Sequence, residues 1–370
     1  MKTFNGNTQN LEKSIIGKVT YKVFSLKRDR ILIFNKNPLF QNGIKALITN
    51  NKDLKSSLPH IQLNNFDLNE GDIVKINIDG LVQVLWEVNS SQNTIYMTDY
   101  CNSKCIMCPQ PMSENSQNYH ELNMKILELV DSKGLNFIGI TGGEPTLNIE
   151  GLGEIINLCK KKFQHVPVFL LTNGKNFSKI ENLNQITNIN HKDITFCVPL
   201  YADNDFEHDY IVGASNSFNQ TINGLYNLAK LSQKIEIRIV ILKQNYKRLQ
   251  DLSEFIYRNL PFVSHIAFMG MEYTGLAKDN LEKVYIDPQE YSKELFEAVQ
   301  HLVQRNMHVS IYNLPLCLVP KGLCKYTRDS ISSWKKFYID KCDECNQKTN
   351  CSGLFETSIV QSSNIVALKI

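Results

Sequence analysis

No stretch of this sequence approaches the roughly 18 consecutive apolar residues of a membrane-spanning helix. The opening segment, Met1-Lys-Thr-Phe-Asn-Gly-Asn-Thr-Gln-Asn10, also lacks the apolar core of a secretory signal. These absences lead to the expectation of a cytoplasmic protein with no membrane partner. A dominant charge is missing too: 40 Lys and Arg face 37 Asp and Glu, for a net charge of +3. With no basic groove evident, nucleic acid is not an expected partner, and Lys160-Lys-Lys162 reads as a solvated helix face. In a reducing compartment the ten cysteines argue for metal rather than for disulfides.

What is present is an ordinary globular composition, 42% hydrophobic and 21% charged over 370 residues, enough for one large domain or two to three smaller ones. The cysteines concentrate in two stretches, 101–108 and 317–351. The first, Thr98-Asp-Tyr-Cys-Asn-Ser-Lys-Cys-Ile-Met-Cys-Pro-Gln110, spaces Cys101, Cys105 and Cys108 as CxxxCxxC with no fourth ligand nearby. An iron–sulfur cluster held by three thiolates keeps one iron open for another molecule. Structural zinc instead asks for four closed ligands, usually from two separated pairs. Buried free thiols are the remaining alternative.

Residues 1–90 read as short strands with polar turns: Lys18–Phe24, Ile31–Phe34, and Ile73–Ile78 joined through Asp79-Gly80 to Leu81–Val88 as a hairpin. The region carries no catalytic constellation, and Ser90–Asn93 reads as a linker. From Thr94 the pattern changes to alternating strands and helices. Strands are expected at 95–98, 137–141, 166–172, 194–199, 235–242 and 265–269, and helices at 122–132, 149–162, 219–231, 249–258 and 288–305, before Val309–Tyr312. Repeated βα units with nearly continuous apolar strands mean a parallel sheet covered by helices, and six such units fit an incomplete barrel.

In such folds the chemistry sits at the carboxyl ends of the strands. The cysteine loop follows strand one, Thr141-Gly-Gly-Glu-Pro-Thr146 strand two, Asn173-Gly174 strand three and Tyr201-Ala-Asp203 strand four, so all four unusual sequences fall on one rim. Gly142 and Gly143 let the backbone approach a ligand closely, Pro145 stiffens the exit, and carbonyls and amides exposed there could hold a charged amino acid moiety; a plain tight turn is the alternative. Arg238 interrupts an apolar strand, where its charge needs either a bound carboxylate or a buried salt bridge. Glu272, in Met269-Gly-Met-Glu-Tyr-Thr-Gly275, reads either as a substrate or cofactor contact or as a turn-stabilising carboxylate, and His208-Asp209 as a loop-to-helix junction in which the aspartate caps. In the terminal stretch, Cys342-x2-Cys345-x5-Cys351 with Cys317 supplies four thiolates for an auxiliary [4Fe-4S] cluster or a zinc site, leaving Cys324 spare. Cys159 and Cys197 read as simply buried.

Cys101-x3-Cys105-x2-Cys108 with Met107 before the last cysteine, followed by Gly142-Gly-Glu-Pro145, resembles the radical S-adenosylmethionine (SAM) superfamily. The resemblance implies a [4Fe-4S] cluster on Cys101, Cys105 and Cys108. Its fourth iron is chelated by the amino and carboxylate groups of SAM, and one electron cleaves the sulfonium to methionine and a 5'-deoxyadenosyl radical that abstracts hydrogen from substrate. It further implies that Gly142, Gly143, Glu144 and Pro145 bind the methionyl amino group and that Met107 lies near the adenine. Asn173, Tyr201, Arg238 and Glu272 are weaker carry-overs as cofactor contacts. An electron donor such as flavodoxin or ferredoxin is an implied partner.

A narrower resemblance rests on Cys101-Asn-Ser-Lys-Cys-Ile-Met-Cys-Pro-Gln-Pro111, Pro199-Leu-Tyr201 with His208-Asp209 and Gly213, Met269-Gly-Met-Glu272 with Thr274-Gly275, Ile311-Tyr-Asn-Leu-Pro-Leu-Cys317 and the terminal cysteine loop. From about residue 70 onward these are similar to the His-Xaa-Ser system radical SAM maturases of the C type, with Pro109 standing where that family usually has serine. This implies a ribosomally made peptide substrate, possible His-Xaa-Ser repeats in it, and a second radical SAM maturase as partner. The expected architecture is therefore α/β: a small β-rich domain at 1–90, a partial (β/α)6 TIM-like barrel at 91–310 and a cysteine-rich auxiliary-cluster domain at 311–370. A radical enzyme acting on a nucleotide or cofactor precursor, and a non-catalytic zinc-binding scaffold, are the competing functions.

Overall fold

The computed structural model describes residues 2–24, 27–90 and 92–369, so Ser91 of the 90–93 linker lies outside the described residues. The chain divides into two compact units, Met1–Asn93 with Glu121–Asn136, and Thr94–His120 with Phe137–Ile370.

In the first unit eight strands form one sheet. The hairpin expected around Asp79-Gly80 is present, as Ile73–Ile76 pairs antiparallel with Leu81–Trp86. Four strands escape sequence reading: Thr3–Asn5, Asn7–Gln9, Ile44–Thr49 and His60–Gln62. The two earliest, Thr-Phe-Asn and Asn-Thr-Gln, are too short and polar to show alternation, and only tertiary pairing makes them the two edge strands of the sheet. Thr3–Asn5 pairs with Leu81–Trp86 at one edge, and Asn7–Gln9 pairs with His60–Gln62 at the other. The sheet buries apolar residues on both faces. Ile31, Ala46, Ile48 and Ile61 belong to one core cluster, while Leu32, Ile44, Leu47 and Leu54 form another. The helix His120–Leu129 and its exit group with this unit, where Asp29 binds both Lys45 and Lys125.

The second unit is built on seven parallel strands in sequential order: Thr94–Tyr96, Ile138–Thr141, Val168–Leu171, Ile194–Pro199, Lys234–Val240, His265–Met269 and Val309–Tyr312. Val309–Tyr312 thus joins as a seventh strand after six βα units. The first and seventh strands do not pair with each other, so the sheet stays open, as a partial barrel does. Ile235, Ile237 and Ile239 are fully buried on the helix-covered face. Between them Glu236 and Arg238 turn to the other face with Cys197, His265, Ser310 and Tyr312.

Among the described residues, Ile180–Thr187 and Asp205–Val212 are helices that were not expected, as are the single turns Leu276–Asp279 and Leu281–Val284. Ile180–Thr187 is rich in Asn and Thr but buries Leu183 and Ile186. Asp205–Val212 is bounded by Asn204, whose side chain accepts from the Glu207 amide, and by Gly213 at φ +63°. His208 and Asp209 therefore sit inside a helix rather than at its start. Asp209 does cap, but in the next element: its carboxylate accepts from the Phe218 amide at 2.7 Å, in the first turn of Ser217–Lys230.

Candidate active site

The loops carrying the four unusual sequences all leave the carboxyl ends of neighbouring parallel strands. The cysteine loop has no regular structure of its own, so its shape comes from backbone hydrogen bonds to its surroundings. The Lys104 and Ile106 amides donate to the Val212 and Ile211 carbonyls at 3.0 Å each. The Cys108 carbonyl accepts from Leu276 at 2.9 Å, and Asn280 donates to the Ile106 carbonyl at 2.8 Å. On the opposite flank the Gly143 and Glu144 amides donate to the Thr98 and Tyr100 carbonyls at 2.6 and 2.8 Å. A Cβ on Gly143 would stand 2.2 Å from the Tyr100 oxygen, so glycine there admits the cysteine loop itself as well as leaving open backbone for a ligand.

Glu144 is wholly buried and uses both carboxylate oxygens on protein donors. Oε1 accepts from the Thr146 amide and hydroxyl at 3.0 and 2.6 Å and from the Thr172 hydroxyl at 2.7 Å, and Oε2 accepts from the Asn173 amide at 2.7 Å. It locks the second rim loop to the third. Asn173 in turn donates through Nδ2 to Asn102 Oδ1 at 2.7 Å, inside the cysteine loop. Lys175, which sequence reasoning missed, is only 5% exposed, and its ammonium donates to the Asn102 carbonyl at 2.7 Å. It follows Asn173-Gly174 in what reads as a solvated polar turn, and only the tertiary contact buries it.

The three thiols are half-buried and sense one another. Burial pushes Cys101 up, with the Glu144 charge adding and the Ser103 amide and Lys175 opposing. Burial and the Cys108 and Cys101 charges push Cys105 up to about 12. Burial also raises Cys108, against a hydrogen bond from the Gln110 amide. Thiols this basic become thiolates only when a cation replaces the protons. Ser103 Oγ is buried in the same loop without a protein partner. Among the described residues no three His, Cys, Asp or Glu side chains converge on a single ion. A [4Fe-4S] cluster places each thiolate on a different iron and sets its ligands wider than that. Sulfur donors alone, backbone amides on Cys101 and Cys108, an orphaned hydroxyl and a nearby ammonium fit such a group.

Met107 and Tyr201 belong to one buried cluster with Ile211, Leu242 and Met271, against which Cys105 packs. Burial, then the charges of Cys105, Cys108 and Cys101, push the Tyr201 hydroxyl far up, so it remains protonated beside the thiols. Arg238 lies deeper in the barrel and takes the salt-bridge alternative: its Nε donates to Glu236 at 2.6 Å. Glu236 also accepts from His265 Nδ1 at 2.7 Å, and His265 Nε2 meets Ser310 at 2.9 Å. Glu272 is not brought to the thiols. Its carboxylate accepts from Lys335 at 2.7 Å and from the Thr357 hydroxyl, tying the sixth rim loop to the C-terminal segment.

Cys317, Cys342, Cys345 and Cys351 line one small pocket together with Tyr338, Leu354, Ile365, Val366 and Leu368. Backbone amides point at the sulfurs: Leu316 and Gly353 to Cys351 at 3.4 and 3.5 Å, and Leu368 to Cys345 at 3.4 Å. Burial raises Cys317 against a hydrogen bond from the Val366 amide. Four sulfurs facing an apolar cavity with amide donors suit a fully ligated cluster. Cys324 lies apart from the cavity, with its thiol 4.0 Å from the Pro320 carbonyl, and Cys159 and Cys197 are buried.

The sequence profile of the Radical SAM superfamily matches residues 95–256. Among curated proteins, the GTP 3',8-cyclase of Clostridium acetobutylicum is 27% identical over 179 residues, covering 40% of this chain and 55% of that protein. The probable GTP 3',8-cyclase of Saccharolobus islandicus is 22% identical over 281 residues, covering 74% of this chain and 83% of its own. Among solved structures, Streptococcus suis SuiB bound to S-adenosylmethionine aligns with a TM-score of 0.47 at 19% identity, over 59% of this chain and 49% of that one. The chain spans about half the length of the first curated relatives it matches.

Proposed function

The chain carries a Radical SAM superfamily domain over residues 95–256, and on that premise we propose that it generates a 5'-deoxyadenosyl radical and uses it to modify a ribosomally synthesised peptide. The observation that carries the radical chemistry is the hydrogen-bonded union of the three-cysteine loop with Gly143 and Glu144. Three thiolates from Cys101, Cys105 and Cys108 would hold a [4Fe-4S] cluster with one open iron, and that cluster supplies the electron that cleaves the SAM sulfonium. The residues around it position and shield. Glu144 fixes the second and third rim loops relative to the cysteines. The Met107–Tyr201 cluster forms a dry wall behind Cys105. Gly142 and Gly143 would offer their backbone to the methionyl amino group.

Peptide as substrate is supported by the similarity to His-Xaa-Ser maturases, whose distinguishing residues here include Gly213 and Gly275. A Cβ on Gly213 would stand 2.3 Å from the Lys104 carbonyl, and one on Gly275 would stand 2.5 Å from the Cys108 carbonyl. Cys317, Cys342, Cys345 and Cys351 would hold an auxiliary [4Fe-4S] cluster. The match to a probable GTP 3',8-cyclase across 281 residues favours a second reading, a nucleotide substrate.

Anaerobic iron and sulfide analysis of the purified protein tests the first step. About eight iron atoms per chain, with matching sulfide, are expected for two clusters; stoichiometric zinc without sulfide ends this reading. With SAM and a reductant, 5'-deoxyadenosine should form and should disappear in Cys105→Ala. Mass spectrometry of the peptide encoded beside this gene, run in parallel with GTP, separates the two substrate classes.

A further inference from the structure

Lys175 is a buried lysine with no direct anionic partner among the described residues. It is only 5% exposed, so little of the residue meets water. Its one hydrogen-bond acceptor is neutral, the Asn102 carbonyl at 2.7 Å, and it forms no ion pair among the described residues. Burying an ammonium against a single neutral oxygen is costly unless an anion lies close by. Two carboxylates, Glu144 and Asp209, are near enough to favour its charge, but neither forms a hydrogen bond or ion pair with it. Glu144 serves four donors on the rim loops, and Asp209 holds the Phe218 amide. His208, buried on the same side, accepts from the Tyr201 amide through Nδ1 and brings no negative charge. The carbonyl it binds belongs to Asn102, which directly follows Cys101 in the cysteine loop, and the sulfurs of Cys101 and Cys105 are close enough to act on its charge.

Resting on the cluster assignment above, we propose that Lys175 is the internal counter-ion of the cluster held by Cys101, Cys105 and Cys108, and that its charge sets how readily that cluster accepts its electron. A group bound by three thiolates carries negative charge, and reduction adds one more unit of it. A fixed cation behind the loop stabilises the reduced form more than the oxidised one. The electron comes from an external donor, and the lysine neither gives nor takes a proton in the step. The hydrogen bond to Asn102 is the second half of the role, because it holds the ammonium against the cysteine loop.

The test is a redox titration of the anaerobically purified, iron-loaded protein, followed by electron paramagnetic resonance of the reduced cluster, in wild type and in Lys175→Met, Lys175→Gln and Lys175→Arg. Cys345→Ala serves as common background, so that only the cluster of interest is read. The Met and Gln variants should show a reduced-to-oxidised ratio lower by about tenfold or more at any fixed potential, equivalent to a midpoint about 59 mV more negative for one electron. Arg should remain near wild type. Unshifted or more positive midpoints in loaded Met and Gln variants overturn the proposal. If Met and Gln come without iron while Arg is loaded, the charge is needed to hold the cluster at all, which supports it. If all three lack iron, the lysine is a clamp that no other residue replaces, and the charge argument is overturned. Absence of iron and sulfide from the background protein itself would instead remove the cluster assignment.

Discussion

Glu144→Gln should cost far more than a change of one atom suggests. The carboxylate is wholly buried and accepts four hydrogen bonds, one of them from the Asn173 amide to Oε2 at 2.7 Å. In the glutamine the best orientation keeps the oxygen toward Thr146 and Thr172 and turns the amide nitrogen toward Asn173, so two donors face each other. Leaving the Asn173 amide unsatisfied costs about 1–3 kcal/mol. The three remaining bonds fall from charge-assisted to neutral, a loss of about 0.5–1.5 kcal/mol each. The sum is about 2.5–7.5 kcal/mol, concentrated where the second and third rim loops meet. Hydrogen exchange followed by mass spectrometry reads this locally, since 3 kcal/mol corresponds to about two powers of ten in an opening equilibrium. Amides of residues 143–147 and 172–175 should exchange about 100-fold faster in Glu144→Gln. Glu150→Gln, an exposed first-turn acid in the adjacent helix, should stay within about 1 kcal/mol of wild type. Equal protection in wild type and Glu144→Gln would refute the claim that this carboxylate holds the rim together.

Gly143→Ala puts a methyl 2.2 Å from the Tyr100 oxygen, backbone on both sides, so the cysteine loop must move; iron at that site, measured against a Cys345→Ala background, should fall severalfold. Cys345→Ala in the otherwise unchanged protein should lower total iron by about half while 5'-deoxyadenosine formation persists. Cys324→Ala should change neither, because that thiol does not line the cavity. For Glu236, burial opposes ionisation, but the His265 hydrogen bond and the Arg238 charge prevail and hold its pKa at about 2, below the ordinary 4.5. A depressed carboxylate gives stability that is fully present above pH 4.5 and is lost as pH falls toward 2. The stability gap between wild type and Glu236→Gln in urea titrations should therefore shrink by about 3 kcal/mol across that window, and a constant gap would contradict it.

The barrel was legible because its parallel strands are buried on both faces and read as apolar runs, and because helices such as Ile149–Lys162 and Leu249–Asn259 have one buried stripe each. The cysteines proposed as ligands stood out in the sequence by their spacing. Elements set by tertiary pairing were not. Thr3–Asn5 and Asn7–Gln9 have no pattern of their own, and Lys175 looks like any solvated lysine until Asn102 is seen above it. Asp205–Val212 is a different case: Asn204 and Gly213 are sound start and stop signals, and weighing them would have found the helix despite its weak stripe. Glu144 and Arg238 stood out in the sequence, but their bonding did not. Both carboxylate oxygens of Glu144 hold protein donors, while Arg238 answers Glu236 two residues earlier on its own strand.

The residues that separate this chain from a generic three-cysteine loop act mainly on the loop's shape. Gly213 ends a helix at φ +63° beneath the Lys104 carbonyl, and Gly275, at φ +56°, lies against Cys108 and Pro109. Their neighbours Val212, Ile211 and Leu276 supply the hydrogen bonds that hold residues 104–108. An irregular loop loses about 1–2 kcal/mol of backbone freedom per ordered residue, and the bound group would have to supply all of that if the loop were slack. Braced from the helix end on one side, from Gly143 on another and by Lys175 from behind, the loop meets its ligand with most of that cost already met by folding. Pro109 extends the same logic, since its ring fixes φ directly after the third cysteine and removes a donor next to the carbonyl that Leu276 uses. Substitutions at Gly213 or Gly275 should therefore act first on how tightly iron is held and only through that on radical formation.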